Sequence, residues 1–449
     1  MTRSAWSLVV LLVAAVLVAG VAWVRAESDA PAIAAPESFS LGKLPRALAI
    51  ELSDEGSGLR TATVTLSHAR GETVVLHRSF TGNPLSGGGP GTAELEMSLD
   101  PEALGLAEGD AFLDVEVRDW SWRGMLRGNP ATARISVSVD LSPPRISVRS
   151  GLTYVRRGGA ALVVYRTSEE PARDGVRVGE RHYAGVPWPA ACPEGDAGCR
   201  IALFALDVDD ASDTAIRVVA EDAAGNVATA RFDARIQERQ TPRVPIRLSQ
   251  RFLEGKIADL SDAWGLEPGD RVAVFRTINE ERRREDEARI RELVAQSQPQ
   301  PLWQGAFRQL DNSKVTSLFA ERRVYTVDGE TVSKATHYGY DLASTAGAPI
   351  TAANAGRVLF AGDLGIYGDT VLLDHGLGVV SLYGHLSSIK VTEGESVTGD
   401  QVIGRTGATG LAGGDHLHFA ILVGDTYVDP REWWDPRWVR EHISVRMNP

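Results

Sequence analysis

The sequence predicts a mainly β protein with an N-terminal apolar helix, two β-sandwiches, a short α-helical linker region and a C-terminal antiparallel β domain. Three observations carry the prediction. Gly at 45 and Pro at 22 among 449 residues make a turn-rich chain. Short runs such as Thr61–Leu66, Phe112–Val117 and Ile135–Val139 alternate apolar and polar residues, which places apolar side chains on one face of a strand. Only residues 241–309 change character, toward helical periodicity and dense mixed charge. Apolar residues at 43% and charged residues at 24% are ordinary globular values. The length suggests about three domains. A net charge of −12 argues against a nucleic-acid partner, which needs a basic footprint.

The elements follow in order. Ala5 to Val24 is almost unbroken apolar sequence, flanked by Arg3 and Arg25, with Trp6 and Trp23 near its ends. Twenty helical residues span roughly 30 Å, the thickness of a hydrocarbon core. Residues 1–25 are therefore expected to be a transmembrane helix, with a cleaved signal peptide as the alternative. Either way the remainder is exported. Cys192 and Cys199 flank a short Gly/Pro loop and in an oxidising compartment read as a disulfide. Residues 26–45, rich in Ala, Pro and Ser, read as a tether.

From 46 to 240 a repeat is visible. Gly128-Asn129-Pro130-Ala131-Thr132-Ala133-Arg134 matches Gly225-Asn226-Val227-Ala228-Thr229-Ala230-Arg231 at six of seven positions. Each copy follows a strand ending in Asp (Asp119, Asp222), and Pro143-Pro144 separates the copies. A period of about 100 residues suits two immunoglobulin-like sandwiches, 46–144 and 145–240. One larger β domain is the alternative. In the helical region 241–309, Arg251–Trp264 carries Phe252, Ile257 and Leu260 at helical spacing. Glu280–Glu292 holds eleven charged residues in thirteen, which reads as a solvated helix packing weakly on its surroundings.

The chemistry concentrates at the C-terminal end. Six of nine histidines lie from His337 onward. His416-Leu417-His418 on a strand points both imidazoles to one face. His337 and Asp341, four apart, would share a face of an extended segment. Imidazoles and a carboxylate with one open position are the donor set of a catalytic zinc site.

Around these residues the order of motifs is specific. It includes Ser317-Leu318-Phe319, Arg322-Arg323, His337-Tyr338-Gly339-Tyr340-Asp341-Leu342, Tyr367-Gly368-Asp369-Thr370-Val371, Asp374-His375-Gly376, Tyr383-Gly384-His385-Leu386, Gly407-Ala408-Thr409-Gly410 and His416-Leu417-His418-Phe419. Residues 313–432 thereby resemble the lysostaphin-type (LytM-like) zinc metallopeptidases that cut peptidoglycan peptides. The resemblance implies an antiparallel β LytM-like peptidase domain over 310–435 and a C-terminal tail from 436. It implies Zn2+ held by His337, Asp341 and His418. His385 and His416 would be catalytic, one taking the water proton and the other stabilising the oxyanion. His375 reads as structural, and Tyr367 and Tyr383 as packing residues lining the groove. Asp415, where Pro is usual, is expected to tune a neighbouring imidazole or to compete for solvent at the cleft. The aromatic tail Trp433 to Trp438 is expected to pack on the domain.

The expected function is a membrane-anchored zinc metalloendopeptidase hydrolysing peptidoglycan crosslinks in the periplasm. The alternative is a non-catalytic regulator that binds and activates other cell-wall hydrolases. Expected partners are peptidoglycan, the inner membrane through the N-terminal helix, and a cell-envelope protein through the immunoglobulin-like domains. There is no HExxH, no Gly-x-Ser-x-Gly elbow and no Gly-Lys-Ser/Thr phosphate loop.

Overall fold

The alternating runs become strands. In the computed structural model, which describes residues 3–84, 87–192, 198–266 and 269–448, Leu59–His68 and Gly109–Asp119 pair antiparallel in a five-stranded sheet. Pro130–Val139 and Ser38–Leu41 extend it on one side, Gly71–Ser79 on the other. A second sheet joins Ala32–Ala34, Arg46–Ser53 and Thr92–Leu99. Ile50, Val64, Leu66, Leu95, Leu113 and Val115 are sealed from solvent in one core. Burying each such side chain contributes about 1.5–3 kcal/mol.

Two of these strands lie in residues 26–45. Ser38–Leu41 runs parallel to Pro130–Val139, and Ala32–Ala34 antiparallel to Arg46–Ser53. The expected tether is thus part of the sheets. Its alternation is too short to stand out against an Ala/Pro/Ser background.

The repeat has a physical basis. Asp119 accepts the backbone N–H groups of Ser121 and Asn129, and the Asn129 amide donates back to the carboxylate. In the second copy Asp222 accepts from Ala224 and Asn226, and the Asn226 amide returns the bond. Both carboxylates are buried, so each turn satisfies its own polar groups.

The chain divides into two compact units, Met1–Pro144 with Glu221–Ala228, and Arg145–Ala220 with Thr229–Pro449. Most of the second β region therefore clusters with the C-terminal domain rather than standing alone. Within that unit, Gly159–Thr167 and Cys199–Leu206 form the centre of a four-stranded sheet. Arg200 grips Asp174 with two parallel bonds of 2.6 and 2.8 Å, and the Tyr165 hydroxyl donates to the same carboxylate. Cys192 and Cys199 form the expected disulfide, while residues 193–197 of that loop lie outside the described residues. The buried Arg239–Asp429 pair, at 2.7 Å, and the Tyr183–Thr426 hydroxyl contact join this β region to the C-terminal domain.

Residues 241–309 are likewise no free linker. Arg243–Arg247 pairs parallel with Glu321–Val327. Gln250–Phe252, the π-helical turn Leu253–Ile257 and Ala258–Ala263 form one helical stretch. Arg271–Thr277, the π-helical turn Ile278–Arg282 and Arg283–Val294 form another. Ser249 and Asp270 cap them, each accepting a first-turn N–H. The charged helix is not merely solvated. Asp286 and Glu287 are buried along with Ile290, Leu293 and Val294. Their partners are loops distant in sequence, which a local charge pattern does not reveal.

The C-terminal domain centres on an antiparallel eight-stranded sheet. Its order is Lys314–Ser317, Tyr340–Ala343, Leu417–Val423, Val379–Leu386, Asp369–Gly376, Gly356–Asp363 and Ser396–Val397, with Thr426–Val428 also on Leu417–Val423. The tail packs as expected. Trp433 is fully buried against Trp303 and Phe307, and Trp434 stacks on Phe419.

The N-terminal segment forms the helix Arg3–Arg25. Among the described residues, no helix is long and apolar enough to cross a membrane. The transmembrane span expected at residues 1–25 therefore finds no support in the structure.

Candidate metal centre

His337 closes the strand Glu330–His337, and Asp341 is the second residue of the next, Tyr340–Ala343, in a different sheet. A corner at Tyr338-Gly339, not one extended segment, brings the two side chains together. Gly339 makes the corner possible. A Cβ there would stand 2.6 Å from His418 Cε1 and 2.7 Å from the Phe419 carbonyl oxygen. His418 lies on the neighbouring strand directly opposite Asp341, with Gly384 opposite it on the other flank. Cross-strand pairing thus supplies the third member.

The three donor atoms form a tight triangle. Asp341 Oδ1 is 2.9 Å from His337 Nε2 and 2.9 Å from His418 Nδ1, and the two nitrogens are 3.1 Å apart. Tetrahedral zinc with bonds of about 2.0–2.1 Å separates its ligands by roughly 3.3 Å, so the triangle matches one face of that polyhedron. All three residues are nearly buried. The chemistry fits as well: two imidazoles, one carboxylate and room for a fourth position.

The outer contacts fix orientation. His337 Nδ1 faces the Leu318 carbonyl at 2.9 Å, so Nδ1 carries the proton and Nε2 presents its lone pair to the cluster. Arg323 donates to Asp341 Oδ2 at 2.8 Å, leaving Oδ1 for the cluster. His385 and His416 are built alike. Their Nδ1 atoms face the Thr409 and Gly414 carbonyls, each at 2.8 Å. Their rings stand 4.8 Å apart, and His416 Nε2 is 3.6 Å from Asp341 Oδ1. His385 holds φ at +65°, the left-handed region. Such backbone strain in a non-glycine residue persists only where the surroundings impose it, often at active sites.

Electrostatics separate the two imidazoles. Burial holds the His385 pKa well below the ordinary value, reinforced by the neighbouring His416 and His418. Burial also opposes charge on His416, but hydrogen bonding and attraction to Asp341 outweigh it and raise its pKa. Burial alone would raise Asp341; the facing histidines reverse this and hold it well below the usual carboxylate range. His418 falls to about 4, chiefly through burial.

The group lines a cavity of about 130 Å³ together with Tyr367, Arg323 and Arg283. The structure thus brings together all five site residues expected from sequence: His337, Asp341, His385, His416 and His418. His375 lies apart, buried and held between the Ala355 carbonyl and the Ser381 hydroxyl at 2.7 Å each. Tyr383 is not on the cavity wall; its hydroxyl accepts the Ala353 N–H in the core. Asp415 accepts the Gly347 N–H at 3.1 Å, and the carboxylate acting on His416 is Asp341.

Sequence reading missed the helical contribution. The Tyr367 hydroxyl donates to Glu287 at 2.6 Å, and Asp286 accepts the Ile366 N–H at 2.7 Å. Lys256 donates to the Ala408 carbonyl at 2.7 Å. Both rims of the cavity are therefore held by residues 250–294. The one available signal was the isolated apolar edge of the charged helix.

Comparison with known proteins agrees with this site. Residues 335–430 match the model of Peptidase family M23, and the chain carries an M23 peptidase domain. It is 40% identical over 94 residues to the DD-carboxypeptidase/endopeptidase Mpg of Neisseria meningitidis serogroup B, covering 21% of this chain and 22% of Mpg. It is 35% identical over 116 residues to the peptidoglycan DD-endopeptidase ShyB of Vibrio cholerae, covering 26% of each. The matched segment thus spans under a third of these relatives' lengths. Among solved structures, a putative peptidase M23 from Pseudomonas aeruginosa aligns with a TM-score of 0.41 at 23% identity, over 62% of this chain and 94% of that one. The catalytic domain of lysostaphin from Staphylococcus simulans aligns with a TM-score of 0.25 at 28% identity, over 29% and 98%.

Proposed function

We propose that this protein is a zinc metalloendopeptidase that hydrolyses the peptide crosslinks of peptidoglycan. The single observation that carries the reading is the His337–Asp341–His418 triangle, with His385 and His416 beside it. Zinc held by those three residues would acidify a water and polarise the scissile carbonyl.

The chain's own residues supply the rest. His416 takes the water proton at Nε2, because Asp341 stabilises the cation that results, and then returns it to the leaving amine. An oxyanion role for His385 would need a proton on Nε2. Its burial and the Thr409 carbonyl on Nδ1 favour a neutral ring with an Nε2 lone pair, so His385 holds the attacking water as an acceptor. Arg323 anchors Asp341 so that one oxygen always faces the cluster.

The names of the relatives, which include DD-endopeptidases, support D-alanine-linked crosslinks as the substrate class. The disulfide suits an oxidising compartment, and the apolar segment 5–24 suits anchoring in the inner membrane with the remainder in the periplasm. Zymography of the full chain on purified peptidoglycan, with and without His418→Ala, tests the reading. A clear band from the wild type that disappears in the variant is expected. No lysis by zinc-loaded wild type overturns it and favours the regulator.

A further inference from the structure

The cavity at the histidine cluster does not end at the peptidase domain. Arg283, from the helix Arg283–Val294, forms part of its wall. A second cavity of about 290 Å³ shares Arg283, Arg323, Leu411 and Gly413 with the first. Its far side is apolar, with Leu248, Phe252 and Phe275 from the helical region. The two cavities thus adjoin at the two arginines, the histidines lining one and Leu248, Phe252 and Phe275 the other.

The two arginines differ in what they have left to give. Arg323 is committed to Asp341. Arg283 has no carboxylate partner among the described residues. Its Nε and Nη2 donate to the Asn279 backbone carbonyl and side-chain oxygen at 3.1 and 2.9 Å. Asn279 is itself buried and locked, its amide donating to the Ser333 hydroxyl at 2.9 Å, which in turn donates to Glu280. The acidic residues that follow Arg283 on the helix are spent on the rim, Asp286 on Ile366 and Glu287 on Tyr367. Asn279 sits in a π-helical turn, an irregularity frequent at functional sites. The result is a half-buried guanidinium on the cavity wall, held in place by Asn279 and with no carboxylate hydrogen-bonded to it among the described residues.

We propose that Arg283 is a specificity-determining residue that reads a free carboxylate on the peptide substrate, while the Phe252–Phe275 compartment takes the aliphatic chain beside it. The inference rests on the peptidase reading for the nature of the substrate, but not on turnover. A guanidinium pairs with a carboxylate through parallel charge-assisted bonds, and an orientation fixed in advance lowers the entropy lost on binding. Recognition is therefore shared: the β domain holds the reacting bond, and the helical region reads its neighbour.

The test is calorimetric binding to the full-length protein carrying His416→Ala, which slows turnover beyond the time of the titration. The probes are two crosslinked stem peptides, identical except that one carboxylate is free or converted to the carboxamide. The free acid is expected to bind roughly ten- to a hundredfold more tightly. Adding Arg283→Gln should bring the ratio near one by weakening the acid, and Arg283→Lys should keep part of the preference. Equal binding of both peptides, no binding of the acid, a ratio that survives Arg283→Gln, or a variant that weakens both peptides alike would each overturn the proposal. The two readings fail separately. Cleavage of both peptides by the His416 enzyme with no preference in binding sinks this inference alone. A preference without cleavage or zinc sinks the peptidase reading alone.

Discussion

At the scale of single residues, the centre works because each imidazole has one nitrogen tied to a carbonyl or to the cluster. His418→Ala should abolish stoichiometric zinc, read by elemental analysis, together with lysis. Arg323→Gln leaves the donor set intact but frees Asp341 to rotate. It should weaken zinc affinity by roughly 10–100-fold, measured by competition with a chelator. His385→Ala and His416→Ala should each retain zinc and lose about 10²–10⁴ in kcat on a defined crosslinked peptide. Loss of zinc in either would make that histidine a ligand instead. Gly339→Ala is expected to behave like a ligand variant, since its Cβ would collide with the His418 ring.

At the scale of elements, the short helices after Asp429 look peripheral but act as a plug. Trp433 is fully buried between Trp303, Phe307 and Trp438. Trp433→Ala should cost about 3–5 kcal/mol in urea unfolding, the usual range for emptying a large aromatic site. Truncation after Asp429 should lower stability before it alters cleavage specificity. The buried Arg200–Asp174 fork gives a second case. Asp174→Ala leaves the buried Arg200 guanidinium with only the exposed Glu170 as carboxylate partner and should cost about 3–5 kcal/mol, whereas replacing both members of the fork with apolar residues should cost far less.

At the scale of the molecule, Glu432 reports on how the second β region and the C-terminal domain fit together. Its carboxylate accepts the Ala160 N–H at 3.1 Å, and burial pushes its pKa up to about 8 from the ordinary 4.5 of a free glutamate. Between those two values the folded state binds a proton that the unfolded chain has released. Stability from this group is therefore full below the unfolded value and falls as pH rises toward the folded one. Glu432→Gln should flatten that slope, leaving the variant more stable than the wild type above about pH 8 and similar near the lower limit. Thermal unfolding across pH 4.5 to 9 reads the difference.

The sequence alone singled out the histidine-rich segment, and the resemblance of its ordered motifs to the lysostaphin-type peptidases implied His337, Asp341 and His418 as the donor set. The sequence also determined the β character, through alternation, and the paired Asp…Asn turns, through the repeat. It did not disclose that residues 26–45 carry strands, nor that residues 241–309 wrap the peptidase cleft. Those depend on pairing with segments remote in the chain, such as Ser38–Leu41 with Pro130–Val139 and Arg243–Arg247 with Glu321–Val327. A charged helix reads as solvated until the loops that bury Asp286 and Glu287 are known. Only the tertiary structure decided which wall closes the cleft and which arginine faces into it, because burial and charge pairing belong to the assembled chain and not to any stretch of it.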